Sequence, residues 1–166
     1  MRIALAIALP LAAALLQSAV VPFISIGDAR PNLPFLIAGS WSLAAGAGEA
    51  VWWAFIGGLA ADLLSGGPLG AFAVASLPPV AAIGLGERPT PRPVPVLLGA
   101  SLLTAAAFVA GVLYALALSV AGTPVPDISG LAIQIGGGAI FTGALGIATY
   151  PIARWLSRHT EKQASF

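Results

Sequence analysis

The chain has no cysteine, one histidine, one methionine, and only seven Lys or Arg and six Asp or Glu among 166 residues. The missing cysteines exclude a disulfide framework, a thiolate metal site and a thiol nucleophile. The single histidine, His159, stands in a polar tail with no second ligand near it, so it reads as a solvated side chain. There is no run of basic residues, and with a net charge of +1 nothing is in place to grip nucleic acid. Charged residues make up 8%, against about 25% in soluble domains. Also missing are a GxSxG, HExxH or P-loop motif and any paired carboxylates in the apolar region. Hydrolysis or group transfer within a membrane needs such pairs, a His-rich metal site, or a nucleophile with its base. No enzyme, cofactor or metal site is therefore expected.

What the chain does have is hydrocarbon. Hydrophobic residues are 58% of the sequence and the mean hydropathy is +0.97, which defines an integral membrane protein. The apolar stretches lack period-two alternation, so a membrane β-barrel is excluded and helices remain as the spanning elements. Six stretches can be drawn, at about 3–21, 33–45, 51–64, 69–85, 94–120 and 129–155. Between them lie Pro22, Pro31, Gly66-Gly67-Pro68, Pro89, Pro91, Pro93, Pro124 and Pro126, residues that end helices or make turns. The expected architecture is all-α: a single transmembrane domain over 1–156, a bundle of six helices, and a short cytoplasmic tail over 157–166. Residues 1–20 also read as a signal peptide, whose removal would leave five helices. The second, third and fourth stretches are short for a span of about 20 residues.

With six crossings, Arg2, Arg88, Arg92, Arg154, Arg158 and Lys162 fall on one side and only Arg30 on the other. The positive-inside rule then places both termini and the 86–93 loop in the cytoplasm. Trp52, Trp53 and Trp155 lie near that interface, where indoles prefer to sit, while Asp28, Arg30, Asp62 and Asp127 lie toward the outer face. Small residues at Gly57/Ala61, Ala107/Gly111, Gly136-Gly137-Gly138 and Ala139/Gly143 allow close helix packing. Gln17, Ser18, Trp41, Ser42, Gln134, Thr142, Tyr114 and Tyr150 read as interhelical hydrogen-bonding groups. Glu49 sits in a short turn and is expected to be solvated there.

One segment stands apart. From Gly57 to Gly70 the chain reads Gly-Gly-Leu-Ala-Ala-Asp-Leu-Leu-Ser-Gly-Gly-Pro-Leu-Gly. It puts Asp62 near the end of an apolar helix, just before a tight turn into the next. A carboxylate in hydrocarbon costs roughly 2.5–3.5 kcal/mol at a helix centre and less toward the interface, so it needs a reason. Asp62 can accept hydrogen bonds from the free amides that open the next helix, or it can meet a partner or relay an ion. Substitution by Ala is expected to impair assembly more than folding.

This block resembles the signature region of MreD, the small membrane protein of the bacterial rod-shape machinery. In that family an apolar helix carries a glycine, then an Asp-Leu-Leu-Ser-type sequence, then Pro-Leu-Gly opening the next helix. The matching residues are Gly58, Asp62, Leu63, Leu64, Ser65, Pro68, Leu69 and Gly70. Gln17-Ser18, followed by Pro22, is similar to the family's Gln-Ser element. Pro31-Asn32-Leu33 stands where the family has Pro-Asp-Leu, with Asn32 in place of the acid. The turn that holds Glu49 commonly carries a basic residue in the family. The resemblance runs over about residues 1–85 and implies a non-catalytic scaffold of the cytoplasmic membrane. It also implies an MreC-like bitopic partner in an assembly with MreB-like filaments, a RodA-type glycan polymerase and a class-B penicillin-binding transpeptidase. The fold it implies is similar to the S components of energy-coupling-factor vitamin transporters. A vitamin-binding S component is therefore the alternative, to which Ala4, Ala8 and Ala12 on the first helix lend a small-residue face. The scaffold should show no closed polar cavity.

Overall fold

The computed structural model describes residues 2–25, 27, 29–85, 94–123 and 127–162, with backbone alone for 2–5, 128 and 160–162. Asp28, Arg88, Arg92, the 86–93 loop, Pro124 and Pro126 lie outside the described residues, as do the side chains of Arg2, Ala4 and Lys162. Among the described residues every regular element is a helix: α1 (Arg2–Ala19), α2 (Leu33–Ala45), α3 (Ala47–Ser65), α4 (Ala71–Leu85), α5 (Val96–Val120) and α6 (Ile128–Lys162), with a 3-10 turn at Val21–Phe23. Three of these are long and apolar enough to cross a membrane: 47–65, 96–120 and 129–159.

Two expectations change. The third stretch, read as short at 51–64, is a 19-residue helix, because Ala47-Gly48-Glu49 forms its first turn instead of a loop. Glu49 there accepts a hydrogen bond from Trp41 Nε1 at 3.2 Å. The last stretch does not stop at Trp155, since its polar continuation stays helical to Lys162. His159 is consequently on α6, with its ring 4.4 Å from that of Trp155 and its Nδ1 2.8 Å from the Trp155 carbonyl.

Contacts fix the arrangement. Gly58 meets Ala73 and Gly84 meets Ala47, so α3 and α4 run antiparallel. Gly111 against Ile135 and Gly99 against Tyr150 make α5 and α6 a second antiparallel pair. α2 and α6 run parallel, tied by Asn32 N to Thr142 Oγ1 at 2.9 Å, Ser40 Oγ to Thr149 Oγ1 at 3.0 Å, and Ser157 Oγ to the Ala44 carbonyl at 3.4 Å. α2 touches all five other helices. The sequence α1–α3–α4–α5–α6 forms a ring around it that is open between α1 and α6. This central position explains why α2 is buried along most of its length, from Pro34 to Leu43.

Prolines lie inside several of the helices, at Pro10, Pro78, Pro79 and Pro151. Pro78 and Pro79 interrupt the α4 hydrogen-bond ladder. Nearby, Ser42 Oγ donates to the Val80 carbonyl at 2.7 Å and holds α4 to α2. The indoles differ in exposure. Trp52 and Trp155 are exposed at 66% and 60%, but Trp53 is buried at 4% and stacks on Trp41 with ring centres 4.5 Å apart.

Candidate functional site

Asp62 is 1% exposed, on the last turn of α3. Its carboxylate accepts from Gly70 N at 3.0 Å, Phe72 N at 3.1 Å and Ala73 N at 3.3 Å. The remaining amide of that turn, Ala71 N, donates to the Pro68 carbonyl at 3.2 Å. A helix start leaves four N–H groups without intrahelical partners, and burial makes each of them costly. Here Asp62 satisfies three of them from a position at the positive end of the α4 dipole. The local sequence makes this reach possible. Gly66 adopts a left-handed conformation that stops α3, and Gly70 turns the chain with φ of 87° into α4. Ser65 Oγ donates to the Asp62 carbonyl at 3.1 Å and accepts from Gly67 N at 3.4 Å. Pro68 lies in the turn, ahead of the helix that begins at Ala71.

The start of α2 is secured in the same way. Asn32 is the N-cap, its Oδ1 accepting from Phe35 N at 3.1 Å. Gln17, at the end of α1, bridges this start: Nε2 donates to the Pro31 carbonyl at 3.0 Å and Oε1 accepts from Leu33 N at 2.8 Å. Thr142 of α6 accepts from Asn32 N and donates to the Gly138 carbonyl at 2.7 Å. Because Asn32 acts as an acceptor, Asn32→Asp is expected to keep the cap and shift stability by less than about 0.5 kcal/mol, checked by thermal unfolding in detergent.

The motif residues thus come together. Gln17, Pro31, Asn32, Asp62 and Ser65 line one recess of about 210 Å³, with Arg30, Phe72 and Tyr114. A second hollow of about 190 Å³ shares Arg30, Asn32, Phe72 and Tyr114 and extends toward Gln134 and Thr142, so the two make one open cleft. Phe72 and Tyr114 pack edge to face, ring centres 5.7 Å apart. Gly58, packed against Ala73, and Gly70, in the turn, do not line the cleft. Sequence reading missed the meeting of Arg30 and Tyr114 with Asp62, because nothing in the local pattern of either residue points across the bundle. Among the described residues no three His, Cys, Asp or Glu gather in a group that could hold a metal.

Fold and site together define a helical membrane protein in which most polar motif residues are engaged in closing helix ends around a cleft. A family model described as rod shape-determining protein MreD matches residues 1–80, which carry α1 to most of α4. The match covers 80 of the 166 residues; it supports assignment to the MreD family, which implies a role in rod-shape determination. No curated protein and no solved structure matches the chain.

Proposed function

We propose that the chain is a non-catalytic scaffold that receives a segment of an MreC-like bitopic partner in the cleft at the Asp62 end. Through that partner it helps organise a RodA-type polymerase and a class-B transpeptidase above MreB-like filaments. One observation supports this best: five motif residues from three separate stretches of chain surround a single open recess. Their carboxylate and amide groups are engaged by backbone, which leaves shape and rim groups, not reactive atoms, to face a visitor. The reading carries with it a cytoplasmic-membrane location with both termini inside, a tail from residue 157, and a likeness to transporter S components.

A photo-crosslinking residue at Gln134, on the cleft, is expected to capture the partner in cells, whereas one at Leu98, exposed on α5 away from the cleft, is not. Co-purification in mild detergent without any MreC-like protein would sink the proposal. A tightly retained vitamin would move the chain to the S-component class.

A further inference from the structure

The hydrogen-bonding groups that line the Asp62 cleft divide into engaged acceptors and free donors. Asp62 takes three α4 amides, Asn32 Oδ1 takes Phe35 N, Gln17 Oε1 takes Leu33 N, and Thr142 Oγ1 takes Asn32 N. Among the described residues, the Arg30 guanidinium, the Asn32 side-chain NH2 and the Tyr114 hydroxyl have no hydrogen-bond or ion-pair partner. Gln134 adds an amide that can give or accept. Of the lining residues two are charged, Arg30 and Asp62, and they do not pair with each other. We propose that the occupant of the cleft brings a carboxylate to Arg30, with the Tyr114 hydroxyl as a second donor, on an otherwise apolar segment. The proposal rests on the reading of the cleft as a partner's seat and states what that partner must carry.

Three observations carry it. First, the backbone of Arg30 is fixed in place. A Cβ at Gly137 would lie 2.6 Å from Ala29 Cβ, and one at Gly138 2.8 Å from the Arg30 carbonyl oxygen, so the chain ahead of α2 lies directly on the α6 backbone. Two residues on, Asn32 N is tied to Thr142. Second, the free groups call for an acceptor with negative charge, and the planar fork of a guanidinium matches the two oxygens of a carboxylate. Third, much of the remaining wall is small or apolar, including Ala107, Gly111, Ala115, Leu131 and Ile135. A segment that covers this wall also shuts water away from Arg30. A charge cut off from water without a counter-charge is strongly disfavoured, so a segment lacking an acid is rejected while one that has it is held. The other end of α2 supplies the contrast. A hollow of about 210 Å³ beside Trp41 is walled mainly by apolar side chains, and there Ser40 pairs with Thr149 and Trp41 Nε1 with Glu49.

The test is the Kd of the full chain, in nanodiscs of zwitterionic phospholipid, for a purified MreC-like partner. Arg30→Gln is expected to weaken binding about tenfold or more, and Tyr114→Phe, which keeps the ring against Phe72, about threefold. Arg30 is exposed, so its variants are expected to keep the thermal midpoint of the parent chain. Arg30→Glu should all but abolish binding. A partner with one acidic residue changed to Lys should then bind Arg30→Glu and lose the parent chain. Binding of Arg30→Gln within about twofold of the parent, or failure of every acid-to-Lys change in the partner to rescue Arg30→Glu, would overturn the carboxylate assignment and leave the scaffold reading standing. An Arg30 effect that appears only when the nanodiscs contain phosphatidylglycerol would give the guanidinium to a lipid phosphate and overturn it as well. A parent chain that does not bind the partner at all would remove the scaffold reading and the carboxylate assignment together.

Discussion

Replacing Asp62 with Ala is expected to lower stability by about 3 kcal/mol, and to reduce folded yield and partner recovery together. A hydrogen bond to a charged group contributes roughly 1.5–3 kcal/mol, and orphaning its buried donor removes the compensation for desolvation. Three α4 amides would lose their acceptor at once. The three bonds are not additive, and loss of an N-terminal cap alone costs about 0.5–2 kcal/mol, so the sum is discounted. Asp62→Asn keeps one acceptor oxygen and should lose only about 1 kcal/mol. Monodispersity on size exclusion and the thermal midpoint in mild detergent measure the first effect, and partner co-purification measures the second. If the Ala variant kept its midpoint and lost only the partner, Asp62 would be a contact residue after all. Sequence alone favoured assembly over folding as the larger effect. The three amide bonds now reverse that expectation.

The second large effect is expected at Gly58. A Cβ placed there would lie 2.6 Å from Ala73 Cα and 2.9 Å from Ala73 N. Both atoms are α4 backbone, so no rotamer change can relieve the clash and the helices must part. Overpacking of this kind costs typically 1–3 kcal/mol, and Gly58→Ala belongs at the upper end. The separation would also draw the α4 amides away from Asp62, one turn further along α3. Gly57 supplies the control. Its Cβ would meet Pro34 Cβ at 3.2 Å and Pro10 Cβ at 3.3 Å, contacts that a shift of a few tenths of an ångström relieves. Gly57→Ala should therefore cost clearly less than Gly58→Ala when the two midpoints are compared, and equal costs would mean that the α3–α4 contact is not the tight one.

Much of this was legible in one dimension. Pro31 and Asn32 before an apolar run, with Gly46 after it, define α2 at the residues observed. The lone carboxylate ahead of a Gly/Pro turn offered a helix-capping role as one of three readings, beside a partner contact and an ion relay. Glu49 misled because a charged residue beside two glycines looks like a loop, yet acidic groups are favoured in a first helical turn. The end of α6 was cut short for a related reason: loss of apolar residues marks the edge of a membrane, not the edge of a helix. Small residues could be seen but not sorted. Gly136 has nothing within 4 Å of an added Cβ, whereas Gly137 would meet Ala29 and Gly138 the Arg30 carbonyl. Which face of a helix meets a neighbour depends on the ring order around α2, and no local pattern encodes that order. Both cavities are products of the same order and were invisible for the same reason.

The brevity of α2 has a geometric consequence. Thirteen residues rise about 20 Å, while the hydrocarbon layer is about 30 Å deep. A post shorter than the walls around it leaves a dimple at either end. The recess beside Asn32 has Gln17, Arg30, Asp62 and Ser65 in its wall, while the hollow beside Trp41 is walled mainly by apolar side chains. The cleft beside Asn32 and the hollow beside Trp41 thus lie toward opposite ends of α2. Lengthening α2 by one turn would fill one dimple or the other, and a single insertion would thus change the floor of the cleft or the ceiling of the hollow without touching the residues that ring them.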